Sequence, residues 1–214
     1  TTGGITDSGT QEIAGVTTLV AGSGNDITLN TSTNNFADAV VITSGRNVAI
    51  TDEHTIVLGA ATVSGTYAVT ATTGGITDSG TQEIAGVTTL VAGSGNDITL
   101  NTSTNNFASA VVITSGKDVT LVDEHTIDLG AATVSGTYNV TATTGGITDS
   151  GTQEIAGVTT LAAGSGNDIT LNTSTNNFAA AVVITSGKDV TLVDEHTIDL
   201  GAATVSGTYN VTAT

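Results

Sequence analysis

The string Thr-Gly-Gly-Ile-Thr-Asp-Ser-Gly-Thr starts at Thr2, Thr73 and Thr144, so one 71-residue unit is written three times in tandem. The units 1–71, 72–142 and 143–213 take up the whole chain except Thr214. Copies two and three differ only at Val91/Ala162 and Ser109/Ala180. Copy one differs from copy two at eight positions, among them Asp38/Ser109, Arg46/Lys117 and Val57/Asp128. No linker separates the copies. A unit repeated this way stacks on its neighbours and is stabilised by them, so the chain reads as one continuous array.

A finer period lies inside the unit. Aligned on its Ile-Thr pairs, it splits into Val16–Ala39, Val40–Thr62 and Val63–Gly86, of 24, 23 and 24 residues. Each stretch reads as three short strands broken by Gly/Ser/Asn/Asp turns. Period-two alternation predicts inward columns Thr17/Val40/Tyr67, Leu19/Ile42/Val69 and Ala21/Ser44/Ala71. It further predicts Ile27/Ile50/Ile76 and Phe36/Ile56/Ile84 as columns on the second and third sides. One coil of about 24 residues cannot bury its apolar side alone, whereas stacked coils share backbone bonds and a common core. The expected fold is all-β: a three-sided parallel β-helix (β-solenoid) of about nine coils, right-handed because parallel crossovers overwhelmingly are. Helix competes poorly, since the apolar residues alternate and Thr, Val, Gly and Asn are mediocre helix formers.

Composition agrees. The chain has no Cys, Pro, Met or Trp. Without Cys there is no disulfide framework, and without Pro the strand ladders run uninterrupted. The net charge of −17, from 20 acidic against three basic residues, repels nucleic acid and anionic membrane. No apolar run approaches membrane-spanning length. A start at Thr1 without a basic, apolar stretch leads to the expectation of no signal peptide, and neither Thr1 nor Thr214 departs from the repeat as a cap would. The expectation is an internal stretch of a longer array, or a chain that assembles end to end.

The run Ala21-Gly22-Ser23-Gly24-Asn25-Asp26-Ile27-Thr28-Leu29, then Asn35-Phe36 and Ala39-Val40-Val41-Ile42-Thr43, resembles the repeats of filamentous-haemagglutinin-like exoproteins. Leu129-Gly130-Ala131-Ala132-Thr133-Val134-Ser135-Gly136 followed by Val140-Thr141-Ala142 does too. The likeness covers the whole chain, with motifs that are compositional and shared by many bacterial surface repeats. It implies a right-handed β-helical stalk, extracellular or on the bacterial cell surface, used for adhesion or display. Receptors or glycans of host or neighbouring cells are the implied partners, with end-to-end or lateral self-assembly beside them.

Several residue groups invite a chemical role. Asp52-Glu53-His54, repeated at Asp123-Glu124-His125 and Asp194-Glu195-His196, offers carboxylates beside an imidazole. Consecutive side chains diverge, however, so a solvated turn is expected, with its copies three coils apart. Asp52 with Asp78, and Asp123 with Asp149, are expected as like-charged neighbours in successive coils, which a weakly held Ca²⁺ would relieve. Gly22-Ser23-Gly24-Asn25-Asp26 looks like half a calcium-binding nonapeptide, but returns only after 71 residues and so reads as a plain turn. Outward Thr28, Thr51 and Thr77 are expected to stack, raising an ice-binding alternative that Val122 and Val193 interrupt. Arg46, Lys117 and Lys188 offset nearby acids. Phe36 and Tyr67 are core or corner residues. Asn30-Thr31-Ser32 and Asn139-Val140-Thr141 are glycosylation acceptors in a suitable host.

No catalytic, cofactor or metal-ligating residue is assigned. Some polysaccharide-active enzymes are β-helical, but they need unequal coils and long loops that build a cleft. The expected role is a structural or adhesive surface rod, with a self-assembling fibre as the alternative.

Overall fold

The computed structural model describes residues 3–214, and every strand pair in it is parallel. The strands fall into sheets of 13, 12 and two members, with no helix among the described residues. The larger sheet starts with Ile5–Thr6, Ile27–Leu29, Val48–Asp52, Tyr67–Ala71 and Thr88–Val91. Thr17–Val20, Val40–Gly45, Ile56–Val63, Ile76–Asp78 and Ile98–Leu100 belong to the 12-stranded sheet. The chain crosses between these sheets, burying Leu, Ile, Val, Phe and Tyr side chains in one continuous core.

This is a parallel β-solenoid of about ten turns with about 21 residues each. The coil is shorter than the unit's three-way split predicts, and the reason lies at the corners. Arg46 N–H donates to the Asn25 carbonyl at 2.7 Å, Gly65 N–H to Arg46 at 2.9 Å, and Gly86 N–H to Gly65 at 3.0 Å. Ser44-Gly45-Arg46-Asn47 and Ser64-Gly65-Thr66 are therefore corners equivalent to the longer Gly22–Asp26 turn, and stack on it. Gly22 adopts φ +87° there, a left-handed conformation that glycine takes without a Cβ penalty. Only two residues separate Val40–Gly45 from Val48–Asp52.

Three strands per coil occur where the coil is long, as in Ile147–Asp149, Gln153–Ile155 and Thr159–Ala162. Elsewhere two strands complete the coil, as in Val48–Asp52 and Ile56–Val63. The eight-residue strand Ile56–Val63 spans both Ile76–Asp78 and Gln82–Ile84 of the next coil.

The unit therefore makes three and a half turns. Ile5 lies in the larger sheet and follows the path Ile27, Val48, Tyr67, three coils on. Its repeat mate Ile76 lies half a coil further, in the other sheet. Ile147, one unit later, returns to the larger sheet. Consecutive copies thus sit on opposite faces, related by a half-turn and a rise of about 17 Å at ~4.8 Å per coil.

The half-turn corrects the predicted columns. Thr17↔Val40 and Leu19↔Ile42 pair as expected, but Tyr67 and Val69 lie in the other sheet, against Val48 and Ile50. Ile27 and Ile50 share a sheet two residues out of register, while Ile76 is opposite. Phe36 pairs with Ile13, and Ile84 with Val63 and Phe107, so neither stacks on Ile56. Alternation separated inside from outside except at Ser44, predicted inward with Ala21 and Ala71. A bulge pairs Ser44 with the exposed Val20, while Gly45 takes the buried position. Alternation carries no information about which of two inward-facing sheets a strand joins.

Candidate functional site

A hydrogen-bonded polar corner is built once per copy from two acids and one Asn on three successive coils. In copy two, Asp78 ends Ile76–Asp78 and accepts from Asn101 N–H at 2.9 Å and Thr102 N–H at 3.2 Å. Its Oδ2 also takes the Asn105 Nδ2–H at 2.7 Å. Asn105 is fully buried, and its Oδ1 accepts the Gln82 backbone N–H at 2.8 Å. The Asn105 carbonyl accepts Glu124 N–H at 2.7 Å from the next coil. There Asp123, also fully buried, takes Phe107 N–H at 2.7 Å and His125 N–H at 2.6 Å. Copies one and three repeat this with Asp7, Asn34 and Asp52, and with Asp149, Asn176 and Asp194.

The Asp-Glu-His turn is therefore not simply solvated: its Asp is buried and its His exposed. A carboxylate that accepts two backbone N–H groups satisfies donors that would otherwise be buried unpaired, which is why it can point inward. Burial pushes the Asp123 carboxyl up, against the lowering effect of those N–H groups and of His125. At Asp7 burial also works upward, but Asn34, Thr31 and Asn30 outweigh it and hold the carboxyl below its ordinary value.

The expected Asp52/Asp78 neighbour pair does not form. Asp52 is in register with Ala71 in one sheet, and Asp78 with Leu58 in the other. Equivalent Asp-Glu-His turns are three and a half coils apart on opposite faces, further than three coils on one face. Among the described residues no group of three or more His, Cys, Asp or Glu is placed to hold a metal ion.

The Gly22–Asp26 turn is closed by its own groups: Asn25 Nδ2 donates to the Ala21 carbonyl at 2.8 Å. Arg46 bridges to Asp26 in bidentate fashion at 2.8 Å. That hydrogen bond, joined by Asn47 N–H, holds Asp26 down at about 2. Lys117 and Lys188 lie 3.0 and 3.1 Å from Asp118 and Asp189. Both of these acids are also held at about 2, chiefly by Thr137 and Thr208 N–H. All three basic side chains thus offset neighbouring acids.

Thr28, Thr51 and Thr77 do not stack: they register with Ala49, Thr70 and Val57. The threonine ladders that do form are Thr77–Thr99–Thr120 and Thr148–Thr170–Thr191. They lie on opposite sheets and end at Asn139 and Asn210.

Each copy also carries an open cleft of about 250–270 Å³ beside its short third strand. Glu12, Ile13, Asn35 and Ala37 line the first, and the others repeat it at Glu83 and Glu154. Their main polar groups already satisfy each other, with Asn106 Nδ2 donating to Glu83 Oε2 at 3.2 Å. Such clefts are smaller than an ordinary small-molecule pocket.

Tyr67 and Tyr138 are core residues, as the sequence predicts, and burial pushes both phenols up. Their hydroxyls are buried without a protein partner among the described residues, as are Thr88 and Thr159 Oγ1 in register with them. An unpaired buried hydroxyl is a cost, so Tyr138→Phe is expected to leave stability unchanged or raise it by about 1 kcal/mol. Denaturant unfolding checks this, and a loss of stability would reveal a partner for the hydroxyl.

The geometry defines a tandem-repeat β-solenoid whose polar clusters serve the fold. The chain belongs to the family described as "Repeats of unknown function (DUF5649)", whose model matches residues 1–43, 45–114, 116–185 and 187–214. Successive matches start 71 residues apart from residue 45 onward. No curated protein and no solved structure matches the chain.

Proposed function

We propose that the chain is a non-catalytic structural rod, extracellular or on a bacterial cell surface, that spaces and displays adhesive contacts in the manner of filamentous-haemagglutinin-like stalks. The observation that carries this reading is the uniformity of the unit. Each copy presents the same short corners, buried Asp-Asn network and shallow cleft, so adding a copy changes length and leaves the chemistry alone. The three clefts are alike and small, which supports the non-catalytic part of the reading. Repetition instead favours weak contacts summed by avidity. The acidic surface keeps parallel rods apart and discourages capture of nucleic acid.

Beads coated with the three-unit chain, and with a six-unit version, test the adhesive part of the reading. Attachment to bacterial or epithelial cells is expected to exceed that of uncoated beads and to rise steeply from three units to six. Attachment at the uncoated level for both lengths rejects adhesion. Small-angle scattering tests the rod separately, and a compact particle would reject it.

A further inference from the structure

Copy two holds five asparagines, and the fold spends the side-chain amides of three. Asn96 Nδ2–H donates to the Ala92 carbonyl at 2.8 Å, Asn105 to Asp78 Oδ2 at 2.7 Å and Asn106 to Glu83 Oε2 at 3.2 Å. Asn167, Asn176 and Asn177 repeat these bonds in copy three. Asn101 and Asn139 are left over, and among the described residues neither side chain makes a hydrogen bond. Both open an Asn-Xaa-Ser/Thr triplet, Asn101-Thr102-Ser103 and Asn139-Val140-Thr141, the acceptor sequence for asparagine-linked sugar.

The fold treats the two triplets differently. Asn139 lies within Tyr138–Ala142, in register with Thr120 on one side and Thr160 on the other. It is half-buried, and Val140 beside it is buried. A transferase must draw the triplet's backbone into its own cleft, and a strand paired on both sides is released only when the coils open. Asn101 instead follows Ile98–Leu100 and lies outside every strand. Asn101 and Ser103 are both exposed. The Asp78 carboxylate holds the backbone N–H groups of Asn101 and Thr102, and Asn105 N–H closes the turn on the Thr102 carbonyl at 3.1 Å. Those bonds use backbone groups and leave the Asn101 amide and the Ser103 hydroxyl to solvent. The next hydroxyl is already used, since Thr104 shares a hydrogen bond with Thr81 at 2.5 Å. Asn30-Thr31-Ser32 and Asn172-Thr173-Ser174 occupy the same corner on Asp7 and Asp149, with the same exposure.

We propose that Asn30, Asn101 and Asn172 are acceptor sites for asparagine-linked sugar on the folded rod, and that Asn139 is not. The donor is a nucleoside-diphosphate sugar, used by an asparagine-directed transferase. Nδ2 forms a bond to the anomeric carbon as the bond from that carbon to the diphosphate oxygen breaks. The nucleoside diphosphate leaves with the electron pair, and the amide gives up one proton. No folding hydrogen bond uses this amide, so its modification leaves the coil intact. The half-turn between copies sends successive sugars to opposite faces, about 17 Å apart along the rod. Bulky, hydrated groups so placed add solubility at the corners. The inference goes beyond the rod reading and stands on the corner geometry alone.

The experiment incubates the folded 214-residue chain with a soluble asparagine glucosyltransferase and UDP-glucose, then maps hexoses by peptide mass spectrometry. Synthetic peptides spanning residues 97–106 and 135–144 serve as unfolded references. Hexose is expected at Asn30, Asn101 and Asn172 of the folded chain, and none at Asn139 although its peptide accepts sugar. Ser103→Ala is expected to keep the same circular dichroism and lose the hexose at Asn101 alone. A folded chain whose three corner asparagines stay bare overturns the proposal. So does Asn139 loading as fast as Asn101 in the folded chain, or a 135–144 peptide that stays bare, since the strand then protects nothing. Sugar still carried at Asn101 in Ser103→Ala overturns it as well, because an exposed amide alone would then suffice. None of these results touches the rod reading, which small-angle scattering tests by itself.

Discussion

Replacing Asp123 with Ala is expected to destabilise the chain by about 2–4 kcal/mol, far more than an ordinary surface substitution. The side chain is fully buried, and its two oxygens accept Phe107 N–H from the coil before and His125 N–H from its own turn. Alanine leaves both donors without a partner, at about 1–3 kcal/mol for each buried group, less the cost of desolvating the carboxylate. Asn is the informative comparison. It keeps the shape and one acceptor but turns an NH₂ toward a backbone donor, so a smaller loss of about 1–2 kcal/mol is expected. If Asp123→Asn instead proves more stable than wild type, desolvation of the buried charge outweighs the bond it makes.

The pH dependence separates Asp123 from the surface acids. The carboxyl of Asp123 is raised in the fold, so its contribution is fully present below the unfolded-state value near 4. That contribution is lost as pH rises through the folded value, and Asp123→Asn should flatten the profile there. Asp26, Asp118 and Asp189, held at about 2, act oppositely. Their contribution is present above about 4 and lost as pH falls toward 2. Denaturant melts across this range check both signs.

The contrast between Asp123 and Leu19 shows what a sequence of this kind discloses. Leu19 and Ile42 were legible as core neighbours because period-two alternation places both on the inward side of strands one coil apart. Asp123 was not legible as a core residue. Its burial depends on an N–H at Phe107, sixteen residues earlier, a neighbour that only the coil length supplies. Coil length was in turn obscured at Ser44-Gly45-Arg46-Asn47, which reads as one turn among several although only Arg46 and Asn47 separate its two strands. Counting that corner with Ser64-Gly65-Thr66 would have given coils of about 20 residues from the sequence alone. Asn34, Asn105 and Asn176 left no such signal, since an Asn in a turn is ordinarily a solvent-facing residue.

Deleting residues 72–142 is expected to give a folded rod about 17 Å shorter, from three and a half coils at ~4.8 Å each. Residue 143 takes the place of residue 72, and the new joint repeats one the chain already contains, with Ile147 against Ile56 as Ile76 was. Stability in a stacked array is the sum of unit terms and nearest-neighbour joints, so the deletion removes one of each and introduces no strain. The half-turn makes a further demand that length alone does not. Thr6 and Thr148 lie on the same sheet in the full chain because two units separate them. After deletion one unit separates them, and they must face opposite sides. Spin labels at these positions, read by pulsed dipolar spectroscopy, and the maximum dimension from small-angle scattering test the two demands independently. A unit of three whole coils would shorten the rod by about 14 Å and leave both labels on one face. Only the half-integral unit reverses the face, so a receptor bound by one face would meet matching surfaces at every second copy along a longer array.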